Sequence, residues 1–343
     1  MQVLALPAFR TRQENPYNWL LYAAIQDVGV NVQEFTFSKL FQQHYNIWHL
    51  HWPEMPLNRR NPFKVFALLA FFVLQVLLAK LRGTKIIWTV HNLKAHEGYH
   101  PQLEAWFWSG FTRQLDGFIS LSQTGLEAAR ARFPHLRKKP GFVIPHSHYR
   151  GEYPCQISRS EARQELGLNP DEKVLLFFGR IRDYKNVPQL IDTFRATPGD
   201  CLRLVIAGRP EASTLDLLHT LAQTDPRIQL HLEFIHSDRT QIFFQAADLV
   251  VLPYREILNS GSALLALSFN CPVLVPNRGS MGELQDFVGG DWVQTFSELT
   301  PEVLIDALAG SQAAVGHAPL ESFEGSRIAA LTLDAYRSLL LPR

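Results

Sequence analysis

The stretch Lys173-Val174-Leu175-Leu176-Phe177-Phe178-Gly179-Arg180-Ile181-Arg182-Asp183-Tyr184-Lys185-Asn186 decides how this chain is organised. Its apolar beginning is typical of a buried strand, Gly179 ends that strand, and a helical pattern starts near Pro188. Two arginines and a lysine follow the glycine before that helix. Because free backbone N–H groups at the start of a helix favour anions, this turn is predicted to hold an anionic group. A solvated basic turn without a ligand is the alternative.

The rest of the chain repeats this alternation of strand and helix. Strands are predicted at residues 2–9, 30–35, 46–52, 85–90, 117–121, 141–144, 174–178, 203–207, 228–234, 249–252 and 272–275. Helices are predicted at residues 17–28, 65–79, 102–115, 124–133, 160–166, 187–195, 212–222, 239–245 and 262–268. This spacing indicates βαβ units and mostly parallel sheets, so the predicted fold class is α/β.

The length of 343 residues favours two domains. The first is predicted over residues 1–150 and the second over residues 151–320. Residues 321–343 form a tail in which apolar positions recur with helical spacing, so this segment is predicted to be a helix. Two doubly wound domains bind their ligands at the C-terminal ends of their strands.

Composition narrows the partners and the compartment. The net charge of +1 argues against a nucleic-acid-binding protein, which normally carries a large basic excess. The three cysteines, Cys155, Cys201 and Cys271, are odd in number and have no metal-like spacing, which indicates a reducing, cytoplasmic environment. The segment Met1–Phe9 lacks the basic leader and long apolar core of a signal peptide.

An apolar segment in the first half has two interpretations. Residues 65–79 are almost entirely apolar, but at about 15 residues they are shorter than the ~20 needed to span a bilayer. The segment is either a buried helix or a helix on a membrane surface. The cations around it favour anionic headgroups, so peripheral contact through residues 63–82 at the inner face of the membrane is predicted. These cations are Arg59, Arg60, Lys64, Lys80 and Arg82.

A second phosphate-binding pattern lies between residues 252 and 267. The run Leu252-Pro253-Tyr254-Arg255-Glu256-Ile257-Leu258-Asn259-Ser260-Gly261-Ser262 precedes an apolar helix. Gly261 permits close approach of a ligand, and Ser260 or Asn259 can cap the helix. The free N–H groups of the first turn would then face a phosphate, unless the helix is simply capped and binds nothing.

Several motifs together resemble the C-terminal domain of the family 4 retaining glycosyltransferases, which have the GT-B fold. They are Phe178-Gly179-Arg180 with Lys185-Asn186, Val205-Ile206-Ala207-Gly208, Ala246-Ala247-Asp248 through Tyr254, and Cys271-Pro272-Val273. The first half is similar more loosely, through Trp88-Thr89-Val90-His91-Asn92 and Val143-Ile144-Pro145-His146. The resemblance implies two Rossmann-like domains facing across a cleft. It also implies that a hexosyl group moves from a UDP- or GDP-sugar to a glycan or lipid-linked acceptor, in polysaccharide or glycolipid synthesis.

The resemblance assigns roles residue by residue. Arg180 and Lys185, at the turn after Gly179, match the pair that binds the donor diphosphate. Gly261 and Ser262 match the helix start under the distal phosphate, and His91 matches a histidine that faces the donor sugar. Phe234 and Ile235 match the segment that lines the nucleobase. The resemblance also implies that the tail helix of residues 321–343 crosses back onto the first domain.

One departure concerns the ribose. The family carries two glutamates eight positions apart, and their places here are held by Ile257 and Leu265. Glu256 lies next to the first place, and Glu283 is the candidate for the missing ribose contact. This departure supports one alternative, a non-catalytic relative that binds glycan or protein; a sugar-nucleotide epimerase on the same fold is the other.

No metal or other cofactor is predicted. The chain has no Asp-x-Asp motif, which agrees with cations and helix dipoles neutralising the leaving diphosphate. The pairs His49-x-His51 and His146-x-His148 could each place two imidazoles on one strand face, but no third ligand is evident. In the first half, Trp52 could stack on a sugar face, with Glu54 accepting the sugar hydroxyls, or Trp52 could simply pack in the core. The loop of residues 10–17 is expected to contact the acceptor or a donor phosphate.

Overall fold

The computed structural model describes residues 1–95 and 97–341. The strands are β1 Gln2–Leu6, β2 Asn31–Glu34, β3 Ile47–Leu50, β4 Lys85–Val90, β5 Gly117–Ser120, β6 Gly141–Val143, β7 Lys173–Phe178, β8 Leu202–Ala207, β9 Ile228–His231, β10 Leu249–Val251, β11 Val273–Pro276 and β12 Val293–Phe296. The helices are α1 Tyr17–Asp27, α2 Phe37–Gln42, α3 Pro62–Leu81, α4 Pro101–Gln114, α5 Gln123–Arg132, α6 Arg159–Glu165, α7 Val187–Ala196, α8 Leu215–Ala222, α9 Ser237–Ala246, α10 Gly261–Ser268, α11 Met281–Val288, α12 Pro301–Gly310 and α13 Gly325–Leu340.

The strands form two parallel six-stranded sheets, which confirms the α/β prediction. The first has the order β2-β1-β3-β4-β5-β6 and the second β12-β11-β10-β7-β8-β9. In β7 every residue except Lys173 is buried, as expected for a central strand covered by helices on both faces. The chain order reverses direction between β1 and β3 and between β7 and β10, and such switch points are where doubly wound sheets bind ligands.

The chain divides into two compact units. Unit 1 contains residues 1–147 and 323–343, and unit 2 contains residues 148–322. The boundaries read from the sequence were 150/151 and 320/321. The tail prediction extends to Arg343, but residues 342 and 343 lie outside the described part of the chain.

Helix α13 belongs to unit 1 because it completes the core of that unit. Its side chains Ile328, Leu333, Tyr336 and Leu339 are buried in one cluster with residues of β1 and α1. The residues in that shared cluster include Val3, Ala5, Tyr17, Leu21, Tyr22 and Ile25.

Some elements differ from the sequence-based prediction. Strand β1 ends at Leu6 rather than Phe9 because Pro7 has no N–H for the sheet. Strand β3 ends at Leu50 rather than Trp52, whose φ of +38° leaves the extended conformation. The edge strand β9 ends at His231 rather than Phe234. Elements α2, α11, β12 and α12 were not predicted at all.

Candidate active site

The turn after β7 brings three groups of unit 2 together around Gly179. This glycine has a φ of +123°, and a Cβ built on it would lie 3.3 Å from both Lys185 Nζ and Ser262 Oγ. The backbone N–H of Arg255 donates to the carbonyl of Tyr184 at 2.8 Å, which ties the loop before α10 to the turn that carries Lys185. The two phosphate-binding patterns read from the sequence therefore meet at one place, beside the β7/β10 switch point.

Lys185 supplies a half-buried cation. Burial lowers the pKa of its ammonium group, although Tyr184 opposes this, and the like charges of Arg182 and Arg180 lower it further. Its Nζ lies 5.2 Å from the centroid of the Tyr254 ring. A desolvated ammonium group interacts more strongly with an anion than an exposed one, so this position suits a phosphate.

Arg180 and Arg182 have different surroundings. Arg182 lies 3.5 Å from Glu211 in an ion pair, whereas Arg180 is exposed. Within residues 1–95 and 97–341, no carboxylate pairs with Arg180. Its guanidinium group is therefore available to an anionic ligand at this turn.

The start of α10 provides the other half of the phosphate site. Ser260 caps the helix, because its Oγ accepts the N–H of Ala263 at 3.2 Å. The N–H groups of the first helical turn, which Gly261 and Ser262 begin, have no acceptor inside the helix. Burial raises the pKa of Tyr254 to about 12, partly offset by the hydroxyl groups of Ser262 and Ser260.

Asn259 is a residue of this site that the sequence suggested only as a cap. Ser260 takes that role, and both amide atoms of Asn259 are buried. Neither atom has a hydrogen-bond partner among the described residues. Because unpaired buried polar atoms are rare, this amide is a candidate ligand contact.

The residues predicted for the nucleobase and ribose lie farther along the sheet edge. Phe234, 44% exposed, and Ile235 follow β9, two strands from β7 in the sheet order. Glu256 is exposed in the loop before α10, and Glu283 lies in the first turn of α11. The contact of these four side chains with a nucleotide stays a prediction.

Ile257 and Leu265, which stand where the family carries its two glutamates, have structural roles in this chain. Leu265 is buried on α10. The carbonyl oxygen of Ile257 lies only 2.1 Å from where a Cβ on Gly279 would be, so these backbones pack closely. Gly279, with a φ of +58°, is needed for this close approach of the loop before α11.

In unit 1, His91 lies at the outer end of a buried hydrogen-bond network. His91 Nε2 is 2.9 Å from His51 Nδ1, and His51 Nε2 is 2.6 Å from the hydroxyl of Tyr22. The neighbouring His49 is hydrogen-bonded on both sides: its Nδ1 lies 2.6 Å from Tyr336 Oη, and its Nε2 lies 2.7 Å from Thr89 Oγ1. The sequence suggested only the spacing of His49 and His51, which the structure places with stacked rings 4.4 Å apart.

The histidines of this network are uncharged. Burial lowers the pKa of His49 to about 3 and that of His146 to about 4. It also holds the pKa values of His51 and His91 well below the usual range, helped by their neighbouring imidazoles. Each ring therefore carries one N–H at neutral pH.

Trp52 stacks on His91, and Glu54 is bonded to the next residue along the chain, Asn92. The Trp52 ring stacks on His91 with centroids 4.3 Å apart. Glu54 is 2% exposed and accepts a hydrogen bond from Asn92 Nδ2 at 2.8 Å. Burial raises the pKa of this carboxyl to about 7, although its hydrogen bond from Asn92 opposes the shift.

The backbone just after β1 binds a carboxylate of the same unit, while the predicted contact of residues 10–17 with an acceptor or a phosphate stays a prediction. The N–H groups of Ala8, Phe9 and Arg10 all donate to Glu34 Oε2, at 3.0, 2.8 and 3.2 Å. An internal carboxylate thus fills the anion site that these amides create. Glu34 lies 24 residues or more away in sequence, so no local pattern could reveal it.

Helix α3 is longer and more exposed than the sequence suggested. It has 20 residues rather than about 15, because it begins at Pro62 and continues through Lys80. This helix is long and apolar enough to cross a membrane, a property that core helices of soluble proteins can share. Core helices are mostly buried, whereas only 33% of the most apolar window of α3 is buried. Its exposed side chains include Phe63, Phe66, Phe71, Leu74, Leu77 and Leu81.

A groove of about 200 Å³ lies between α3 and α4. Phe72 and Phe107 form part of its floor, and Leu77, Trp106 and Arg113 are exposed at its lining.

No metal centre is found within the residues that the structure describes. Among these residues, no three His, Cys, Asp or Glu side chains lie together in a way that could hold a metal ion. His49 and His51 are engaged with tyrosine, threonine and histidine partners, as described above. The three cysteines are unpaired.

Comparison with known proteins places these features in a family. The model of the family described as "Glycosyl transferases group 1" matches residues 158–287. A GDP-mannose:glycolipid 4-beta-D-mannosyltransferase from Xanthomonas campestris pv. campestris is 33% identical over 282 residues, covering 81% of this chain and 74% of that protein.

Solved structures agree with the fold. Sucrose-phosphate synthase from Thermosynechococcus elongatus superposes with a TM-score of 0.69 at 14% identity, over 99% of both chains. HepE from Anabaena, in complex with UDP, gives 0.64 at 15% identity, also over 99% of both chains. The chain belongs to the group 1 glycosyltransferases of the family 4 type and has the GT-B fold.

Proposed function

We propose that this glycosyltransferase moves a mannosyl group from GDP-mannose to a glycolipid acceptor. The observation that carries the proposal is the 33% identity, over 81% of the chain, to a protein named for that donor and acceptor class. The sequence predicted a UDP- or GDP-sugar as the donor, and the proposal now names GDP-mannose. The sequence predicted a glycan or lipid-linked acceptor, and the proposal now names a glycolipid.

The diphosphate is proposed to bind at the Gly179 turn. Lys185 Nζ and Arg180 neutralise the phosphate oxygens, and the first N–H groups of α10 point at the distal phosphate. These charges act where negative charge accumulates as the sugar–phosphate bond breaks, which lowers the barrier to departure. Asn259, Glu256 and Glu283 are candidates for the ribose, and Phe234 and Ile235 for the base.

His91 is proposed to hydrogen-bond the transferred sugar. It is partly exposed while the histidines behind it are buried, so it is the polar group of the network that a ligand can reach. An uncharged imidazole can donate to or accept from a sugar hydroxyl without the desolvation cost of a cation.

The stereochemistry separates two versions of the reaction. The resemblance noted in the sequence implies retention, in which the departing phosphate takes the acceptor proton. The relative is named a beta-mannosyltransferase, and the mannosyl group of GDP-mannose is α-linked, so a β-linked product is inverted. We propose the β-mannoside: the acceptor oxygen forms its bond to the anomeric carbon on the face opposite the breaking bond to the diphosphate, GDP leaves, and the acceptor proton passes to a base on the acceptor side rather than to the departing phosphate. The anomeric configuration of the product, measured by NMR, decides between the two.

The reaction is proposed to need no metal and to occur on the cytoplasmic side of a membrane. The cations Arg180 and Lys185 can neutralise the diphosphate themselves. Transfer rates with excess EDTA should match those with added Mg²⁺ or Mn²⁺. A rate that collapses in EDTA and returns with a divalent cation would contradict metal independence.

The exposed face of α3 is proposed to lie on an anionic membrane surface. Apolar side chains face outward over most of the helix length, and Arg59, Arg60, Lys64, Lys80 and Arg82 surround them. The groove beside α4 adds apolar surface to this face. Membrane contact would bring the enzyme to an acceptor that has a lipid anchor.

Donor choice is tested by binding and by transfer. GDP-mannose should raise the unfolding temperature with concentration, more than UDP-, ADP- or dTDP-sugars at equal concentration. Release of GDP should then depend on a lipid-linked acceptor. A larger shift with a UDP-sugar would refute GDP-mannose as the donor.

Product analysis tests the two alternatives named above. An epimerase would return an isomerised sugar nucleotide, and a non-catalytic relative would neither bind nor consume one. Free GDP together with a lengthened acceptor excludes both.

Membrane contact is tested by flotation with vesicles. The intact chain should float with anionic phospholipid vesicles at low salt, and the double variant Phe66→Glu/Leu74→Glu should not. Leu217→Glu is the matched control, because Leu217 is a similarly exposed leucine on α8 of unit 2. Equal flotation of all three proteins would contradict the assignment to α3.

A further inference from the structure

The network behind His91 has one exposed end and a buried interior. His51 is 1% exposed and Tyr22 is fully buried, whereas His91 is partly exposed. The bonds join His91 Nε2 to His51 Nδ1 at 2.9 Å and His51 Nε2 to Tyr22 Oη at 2.6 Å. Both ring nitrogens of His51 are therefore hydrogen-bonded to other residues of unit 1.

The donor and acceptor roles along this chain are linked. An uncharged imidazole has one N–H and one lone pair. If the Tyr22 hydroxyl donates to His51 Nε2, then His51 Nδ1 carries the proton and donates to His91 Nε2. His91 then presents an N–H at Nδ1. If Tyr22 accepts instead, His91 Nε2 donates and its Nδ1 presents a lone pair.

The ring plane of His91 is also held from the side. Trp52 stacks on it at 4.3 Å with an interplanar angle of 21°, and Tyr17 contacts its edge at 5.2 Å. Among the residues that the structure describes, no hydrogen bond to His91 Nδ1 is found. This nitrogen is therefore the atom left for a ligand.

We propose that His51 and Tyr22 are positioning residues that hold His91 in one orientation and one tautomer, so that its Nδ1 meets a hydroxyl of the transferred sugar. This inference rests on the proposed role of His91. The Tyr22 hydroxyl and the sugar are then connected through two imidazoles, although Tyr22 does not contact the substrate.

The test uses the full chain with 15N-labelled histidine and compares Tyr22→Phe with Tyr45→Phe. Tyr45 is a buried tyrosine of the same unit whose hydroxyl donates to Gln33 and Gln43, outside the network. Each variant loses one hydroxyl, so both should lose similar stability in thermal unfolding. Long-range 1H–15N spectra distinguish N–H from lone-pair nitrogens, and His91→Ala assigns the signals of His91.

We expect one tautomer of His91 in the unmodified protein and in Tyr45→Phe, and a mixture or a reversed tautomer in Tyr22→Phe. The kcat for mannosyl transfer should fall about tenfold in Tyr22→Phe, the usual effect of one hydrogen bond. In the His91→Ala background, Tyr22→Phe should cause no further loss, because its effect acts through His91.

Two results would overturn the inference. One is an unchanged His91 tautomer in Tyr22→Phe, and the other is a loss of kcat that adds fully to that of His91→Ala. Failure of the proposed function gives a different pattern. If His91→Ala transfers mannose at the normal rate, the sugar contact is refuted, and the spectra alone then decide whether Tyr22 sets the tautomer.

Discussion

Replacing Gly179 with alanine should weaken donor binding while leaving unit 2 folded. The substitution adds one methyl group at the point where Lys185 and Ser262 converge. A Cβ there would lie 3.3 Å from Lys185 Nζ and from Ser262 Oγ, closer than ordinary contact. Both neighbours are ends of side chains, so they can move by a few tenths of an ångström rather than unfold the sheet.

The expected magnitudes follow from two separate effects. The φ of +123° is rarely adopted by alanine, and such strain costs about 1–3 kcal/mol of unfolding free energy. The displaced ammonium and hydroxyl groups also lose contact with the phosphate. One charge-assisted hydrogen bond is worth about 1.5–3 kcal/mol, so GDP should bind roughly 10- to 100-fold more weakly.

Gly289→Ala separates strain from the loss of the site. Gly289 has a φ of +97°, and a Cβ there would meet nothing within 4 Å. Both variants should therefore lose similar stability in denaturant unfolding, but only Gly179→Ala should lose affinity in calorimetry with GDP. If folded Gly179→Ala binds GDP within twofold of Gly289→Ala, the phosphate site does not lie at this turn.

Three further predictions concern buried charge. Lys185→Met should raise the melting temperature of the free enzyme, because a desolvated ammonium group is removed. The same variant should bind GDP about tenfold or more weakly in calorimetry. Arg182→Met is the control and should change neither quantity by a comparable amount. The pKa of Glu54 is raised to about 7 from 4.5, so the folded state binds its proton more tightly and stability falls as pH rises from 4.5 to 7. Glu54→Gln should therefore stabilise the chain by up to about 3 kcal/mol at pH 8 and change little at pH 4.5, as measured by urea unfolding. The lowered pKa values of His49 and His146, about 3 and 4, mean that stability present above pH 6.5 is lost as pH falls toward 4, at about 1.4 kcal/mol per pH unit for each histidine. Unfolding midpoints that do not change over this range would contradict the neutral, buried imidazoles.

The sequence was informative where the chemistry is local. The apolar run of β7, the glycine after it and the cations that follow are adjacent, so the turn at Gly179 could be read directly. The cap at Ser260 is local too, because an N-cap contacts an N–H only three residues away. The alternation of strands and helices likewise predicted both parallel sheets.

What sequence reasoning missed depends on contacts between distant residues. Glu34 accepts hydrogen bonds from the backbone N–H groups of residues 8–10, and the Tyr22 hydroxyl is hydrogen-bonded to His51. Both contacts depend on the order of the strands in the sheet. No spacing rule connects such pairs, because the residues meet only after β1 has paired with β2 and β3. The exposure of α3 was also hidden, since a buried apolar helix and an exposed one have the same composition.

The hydrogen bond between His49 and Tyr336 joins residues 287 positions apart and has a consequence for synthesis of the chain. A ribosome makes residues 1–147 first, yet the core of unit 1 needs α13, whose last residues follow all of unit 2. Unit 2 can therefore complete its fold on the ribosome while unit 1 still exposes the apolar surface that α13 will cover. Synthesis of α13, rather than emergence of the first 147 residues, sets the moment at which the first unit closes. A nascent chain stalled before residue 325 should accordingly be digested within unit 1 and resist protease within unit 2.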